Sequence, residues 1–459
     1  MRTVPPALLF PVAALIIGSA LMLLAIVQPQ TALALLPALV ALMLALLFYE
    51  APLLAVVLMI ACYGLAVDVQ LDLLTGNAGA SATAALGSAV VKVIPFGIAA
   101  MLCLRYGFAP AINWPFLAFT AVAMVSLVVL PMGRISTTGE MVRSFIGSTA
   151  PFIIAFAAAP RSLWSALCKG VVLLPLVSVA FGLVTTVLGL HPAFDQNWRL
   201  QGLHSPPFLA GFCVTAVFAA TLEYLRTWQT RWLVLGGAVV AVLLATQARA
   251  PLGAVALFLL VVLFFSDRRT FPLKRKVDLL MGGLVPGALL LGPLVLFAAE
   301  RLFAADGETR FSGRDVIWPY FIDAIENRPL FGYGLGAGKL IVNPEDPAIR
   351  LIRSNAAHNE YLRLAVDAGI IGCAVIFAAI IAWIWAGSRR AAPADRLVLR
   401  AALLGALLHS GFDNTLIANI GVIQFTWFAA AMARARLERR QATPEAALRA
   451  ALAHRAPAR

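Results

Sequence analysis

The chain has 459 residues, of which 61% are hydrophobic and 12% charged, with a net charge of +13 and a mean hydropathy of +0.90. A soluble domain carries about 25% charged residues, so this composition excludes one. Long continuous apolar runs, in place of short alternating segments, exclude a β-barrel.

The apolar runs predict an all-α, polytopic transmembrane helix bundle. Candidate spans are 8–27, 32–49, 51–67, 85–103, 111–131, 144–159, 165–190, 207–225, 231–247, 250–266, 277–298, 363–386, 399–415 and 417–434. Helices of this length cross about 30 Å of hydrocarbon. The tight pairs 32–67 and 231–266 read either as two spans each or as merged or re-entrant segments, so 12–14 spans are expected. The run 8–27 reads as a retained helix and not a cleaved signal peptide.

Basic clusters fall between or after the apolar runs: Arg268-Arg269 with Lys274-Arg275-Lys276, Arg389-Arg390 with Arg396 and Arg400, and a tail from Arg434. The positive-inside rule makes them cytoplasmic anchors, not a nucleic-acid groove. Both termini are then cytoplasmic and the number of spans even. Four regions follow: an N-terminal bundle at 1–298, a long loop at 299–362, C-terminal helices at 363–434 and a basic tail at 435–459. The stretch 441–459 is expected to fray. Parity puts the long loop, the segment around Arg199, the turn at Arg249 and the loop 132–143 on the outer face. Eight Lys/Arg and nine Asp/Glu over 300–363 give the loop no net positive field, so its arginines must be judged singly.

In that loop, Ser312 stands three residues before Asp315 and predicts a capped helix start, with Val316, Ile317, Phe321, Ile322 and Ile325 as its apolar stripe. Arg314 in the first turn makes either a phosphate-type anion site or a surface pair with Asp315. Pro319 is expected to kink such a helix and Pro329 to stop it. The alternating Gly332, Gly334, Gly336 and Gly338 lack the Ser/Thr of a P-loop. They read as a tight turn that lets the loop pack on the bundle. Ser354 or Asn355 is expected to cap the helix that follows. His358 then lies at its first turn, either as a general base or as a structural interfacial histidine.

Arg249 lies between two spans and Arg199, with His204, before a Pro-Pro entry to another. Arginines at a membrane edge serve function or snorkel to headgroups. His409 and Asp413, at i and i+4, share a helix face. The cysteines (Cys62, Cys103, Cys168, Cys213, Cys373) all sit in apolar runs, so no disulfide framework is expected. No Asp-x-Asp, His-Glu-x-x-His or Cys/His cluster is present to hold a metal.

The ordered set Gly313-Arg314, Trp318, Asn327-Arg-Pro329-Leu-Phe-Gly332-Tyr-Gly334-Leu-Gly336, Ala357-His358-Asn359-Glu360-Tyr361-Leu362 and Asp367-Ala-Gly369-Ile-Ile-Gly372 resembles the O-antigen ligase and O-antigen polymerase superfamily. The resemblance covers about 199–413. It implies a bacterial inner-membrane glycosyltransferase that moves a glycan from undecaprenyl diphosphate to an acceptor hydroxyl at the periplasmic face, inverting the anomeric centre without a metal or other cofactor. The acceptor is lipid A–core for a ligase, or another lipid-linked glycan for an O-antigen or exopolysaccharide polymerase. Carried over, Arg314 and Arg249 hold the diphosphate and His358 meets the acceptor hydroxyl; Arg199, His204, Asn359 and Tyr361 are candidate substrate contacts. Gln247 stands where the family more often has Ser just ahead of Arg249, and Ser205-Pro206-Pro207 where Pro-Asn is frequent. The ligase reading is preferred, with a lipid-linked glycan flippase as the more distant alternative.

Overall fold

The computed structural model describes residues 46–67, 82–128, 135–268, 271–279, 313–343 and 355–455, with isolated positions between them. The expected span 8–27, most of 32–49 and of 277–298, and Arg134, Ser312 and Ser354 lie outside the described residues. The fold is helical: α1 (Pro52–Gly64), α2 (Ala82–Tyr106), α3 (Trp114–Val128), α4 (Thr138–Ile153), α5 (Arg161–Val187), α6 (Pro206–Thr227), α7 (Thr230–Thr246), α8 (Arg249–Phe265), α9 (Leu273–Leu279), α10 (Arg314–Asn327), α11 (Glu360–Ser388), α12 (Pro393–Ser410) and α13 (Asn419–Arg455). Among the described residues, extended pairing is confined to two isolated bridges, Phe108 with Ala157 and Phe194 with Leu200. Helices α5, α6 and α11 are each long and apolar enough to cross a membrane, and shorter apolar helices flank them.

Helix α6 is the axis of the bundle. It is buried almost all round, from Leu209 to Leu225, and packs against α5, α7, α8, α12 and α13. Small residues let its neighbours approach closely, as is common between membrane helices. A side chain at Gly211 would press on Ile420 of α13, and one at Gly405 of α12 on Phe218. The sequence pair 231–266 resolves into two separate helices. Gln247, in the left-handed region at φ 54°, ends α7 and turns the chain into α8.

Several local expectations change. Helix α4 begins at Thr138, not 144, because Thr137 and Glu140 close a capping box; Arg143 is therefore helical and not in a loop. Helix α10 starts on Gly313 at φ 77°, and runs through Pro319 to Asn327 without ending there. Asn359, not Ser354 or Asn355, caps α11, its Oδ1 accepting from the Tyr361 and Leu362 amides at 3.0 and 3.2 Å. Helix α13 continues to Arg455 through the stretch expected to fray, in keeping with its Ala-, Leu-, Glu- and Arg-rich sequence.

The glycine segment clamps the long loop onto α11. The Tyr333 amide donates to Val366 O at 2.9 Å, the Gly334 amide to Asp367 O at 3.0 Å and the Ile370 amide to Pro329 O at 2.7 Å. Helix α11 opens to receive them, because Gly369 adopts a non-helical conformation at φ 69°. A Cβ on Gly332 or Gly369 would collide with the opposing backbone. Beneath the clamp lies a buried ionic triad: Arg363 pairs with Glu360 and, at 2.8 Å, with Asp367, whose other oxygen accepts from the Gly338 amide at 2.7 Å. Helix α10 closes over this frame through Ile317, Phe321 and Ala324, which share a small core with Ala337, Ala357 and Val366.

Candidate active site

The helix directions bring one set of ends together. The starts of α6, α8 and α11 meet the ends of α7 and α12 around a cavity of about 280 Å³. Arg199, Arg249, Arg314 and His358 all line it, with His409, Phe412 and Asp413.

Arg199 is set by the segment before α6. Gly202 lies flat on α5, where a Cβ on Gly182 would come within 2.6 Å of it. The Asp195 carboxylate accepts from the Arg199 amide at 2.9 Å, and Arg199 Nε donates to Thr246 O at 3.1 Å. The guanidinium is thereby held at the end of α7. Three residues after Thr246, Arg249 is the first residue of α8 and is exposed. No side chain caps that helix, so its positive end and Arg249 face the cavity together, an arrangement suited to an anion.

Arg314 enters from the loop. It is half-buried at the start of α10, and its Nη2 donates to Phe412 O at 2.8 Å. Burial pulls its guanidinium below the usual value, the Asp413 charge opposes this, and Arg249 adds to the lowering. It remains cationic at neutral pH.

His358 is wedged between α10 and α11. Trp318 Nε1 donates to Ala357 O at 2.8 Å on one side, and the Asn359 cap fixes the other. The residue pays with a left-handed φ of 44°, a strained conformation for a non-glycine residue of the kind that gathers at functional sites. Its Nδ1 lies 3.6 Å from Asp413 Oδ1, while Nε2 of the buried His409 lies 3.9 Å from Asp413 Oδ2. Burial pushes the Asp413 carboxyl up, but the His358 contact, the two imidazole charges and the Asn414 amide outweigh it and hold it below the usual carboxylate range.

Three expected contact residues are turned elsewhere. His204 is buried and packs on the Phe212 ring at 4.9 Å. Asn359 is engaged as the helix cap. Tyr361 donates to Leu407 O at 2.8 Å and stacks on Phe377 at 4.4 Å, tying α11 to α12. None of the three lines the cavity. Asp413 and His409, which the sequence marked only as a polar pair, do line it.

Three guanidinium groups and a helix start facing one carboxylate make a cavity for a polyanion, with an imidazole at its edge. Among the described residues, no group of three or more His, Cys, Asp and Glu is disposed to hold a metal. No curated protein matches the chain significantly. Residues 233–377, from α7 to the middle of α11, match the family model described as O-Antigen ligase. That segment carries Arg249, Arg314 and His358, and the match agrees with the resemblance to the O-antigen ligase and polymerase superfamily that the loop motifs carry.

Proposed function

We propose that the protein transfers a glycan from undecaprenyl diphosphate to an acceptor hydroxyl, with the cavity facing the periplasm. The observation that carries this reading is the convergence of Arg199, Arg249, Arg314 and His358 on one cavity at the end of apolar helices. A lipid diphosphate presents its charge at that depth. The opposite end of the bundle bears Arg226, Arg389, Arg390 and Arg439, which the positive-inside rule assigns to the cytoplasm. Both termini then lie on the cytoplasmic side.

The reaction is a single displacement. Asp413 accepts from His358 Nδ1–H, which leaves Nε2 to take the acceptor proton. The acceptor oxygen forms its bond to the anomeric carbon as the bond to the phosphate oxygen breaks. The departing electron pair stays on the diphosphate, and configuration inverts. Arg249 and Arg314 meet charge that grows in the transition state, so they favour it over the ground state. In this reading Arg199 steers the diphosphate. The charge work falls to arginines, and no metal is required.

The O-antigen ligase description of the matched segment favours lipid A–core as the acceptor over a second lipid-linked glycan. Purified protein given undecaprenyl-diphosphate glycan without divalent cations should transfer it, and Arg314→Ala and His358→Ala should not. Transfer that survives both changes, or that requires a metal, sinks the mechanism. In cells lacking the protein, a ligase leaves lipid-linked polymer without long chains on lipid A–core. A polymerase leaves single repeat units, and a flippase leaves units trapped on the cytoplasmic side.

A further inference from the structure

His409, in the last turn of α12, lines the cavity, yet the reaction above does not use it. It is 1% exposed, and its Nε2 has no hydrogen-bond partner among the described residues. A buried polar atom left in that state calls for an explanation. An acceptor stands close by. Asp413 Oδ2 is 3.9 Å away, beyond hydrogen-bond length but within reach of a small shift. Hydrogen bonds in active sites often tighten when substrate binds.

The two oxygens of Asp413 are divided. Oδ1 accepts from the Asn414 amide at 2.8 Å and lies 3.6 Å from His358 Nδ1, while Oδ2 faces His409. The turn that carries this carboxylate is built on the end of α12. The Phe412 amide donates to His409 O at 2.9 Å and the Gly411 amide to Leu408 O at 3.1 Å. Ser410 Oγ meets Thr415 Oγ1 across the turn at 2.6 Å. A competitor for the carboxylate stands on the same turn: Arg314, bonded to Phe412 O at 2.8 Å, feels the Asp413 charge. A carboxylate free to swing would pair with that guanidinium. Arg314 would then be lost to an incoming diphosphate, and His358 would lose its acceptor.

We propose, on the transfer mechanism above, that His409 is a positioning residue: its Nε2–H donates to Asp413 Oδ2 and holds the carboxylate toward His358 and off Arg314. His409 touches neither glycan donor nor acceptor, and it acts only through Asp413.

The test is steady-state transfer by the full-length protein from undecaprenyl-diphosphate glycan, with lipid A–core and lipid-linked glycan both offered as acceptors and Tm followed in parallel. His409→Phe fills the space without a donor. It should lower kcat about tenfold and leave KM within about twofold. Glutamine can place an N–H near the Nε2 position and asparagine cannot. His409→Gln should therefore lose less than about threefold, and His409→Asn should fall with the Phe variant. The double variant Asp413→Asn/His409→Phe should be no slower than Asp413→Asn alone, because a group that acts through another adds nothing once that other is lost. Should His409→Phe fail to fold, the contrast between Gln and Asn decides. Losses that multiply in the double variant, or a Gln variant no better than Asn, mark a packing role and overturn the proposal. So does His409→Phe at the wild-type rate while His358→Ala is inactive. A wild type that does not transfer, or a His358→Ala variant that does, overturns the reaction itself and the role of His409 with it.

Discussion

His358 Nδ1 stands 3.6 Å from Asp413 Oδ1, and the carboxylate is shared with His409 on its far side at 3.9 Å. The loop and the α12–α13 turn meet at this contact. Asp413→Asn should keep the fold and lower transfer about 10- to 100-fold, by analogy with groups that orient a histidine. His358→Gln should lower it by about 100-fold or more. On the proposed mechanism, single-turnover transfer assays separate the two, since the Asn variant retains His358 and loses only its orientation.

The same carboxylate gives a pH prediction. Its folded-state value is depressed, so its stabilising contribution is complete above the unfolded value, about 3.9, and is lost as pH falls through the lower folded value. The Tm gap between wild type and Asp413→Asn should stay constant from neutral pH down to about 5 and close only in stronger acid. A gap that closes between about pH 8 and 6 would assign the linkage to the imidazoles instead.

Arg314 serves two ends at once, bonding Phe412 O at 2.8 Å while facing the cavity. Arg314→Lys should therefore behave as a loss, because an ammonium cannot hold both a carbonyl and a phosphate in a fork. A fall in kcat of about 100- to 1000-fold is expected, with KM changed much less. An unchanged kcat with raised KM would make Arg314 a simple ground-state anchor.

The clamp between the loop and α11 depends on two glycines. Gly369→Ala puts a methyl group against the Leu330 carbonyl at a φ of 69°. Backbone strain alone costs about 1–3 kcal/mol, and the collision adds to it by pushing the loop outward. Both Tm and transfer should fall, with limited proteolysis newly cutting within 329–338. Gly237→Ala, where a Cβ meets nothing within 4 Å, should be nearly silent.

The triad below the clamp should be costly to break and cheap to replace whole. Arg363→Met leaves Glu360 and Asp367 buried without their cation and should cost about 3–5 kcal/mol. The triple change Glu360→Leu/Arg363→Met/Asp367→Leu should recover most of that, less the hydrogen bond from the Gly338 amide. Thermal unfolding of the two variants decides the point.

The helical membrane fold was legible because apolar length is written locally: 161–187, 206–227 and 360–388 stand within a few residues of the runs that predict them. Boundaries were less legible where a polar cap lies outside the apolar run, as at Thr137 and Asn359. The capping signal was present in both places, Thr137 three residues before Glu140 and Asn359 directly before the helix, but hydropathy outweighed it. Arg314 and His358 could be singled out because their motif neighbours are distinctive. Asn359 and Tyr361 belong to the same motif, yet each step along a helix turns a side chain by about 100°, so adjacency in sequence did not carry them into the cavity.

The sequence by itself marked the apolar helices of a membrane protein, the clusters of positive charge between them and the motif in the loop. Those follow from hydropathy and charge, which act residue by residue. Only the tertiary structure decided that Arg199, Arg249, Arg314 and His358 share one cavity with Asp413 and His409, while His204 is packed away on Phe212. Helix direction, a glycine clamp and the rotation of each helix set those placements, and such long-range geometry leaves no mark in the local pattern of a single chain.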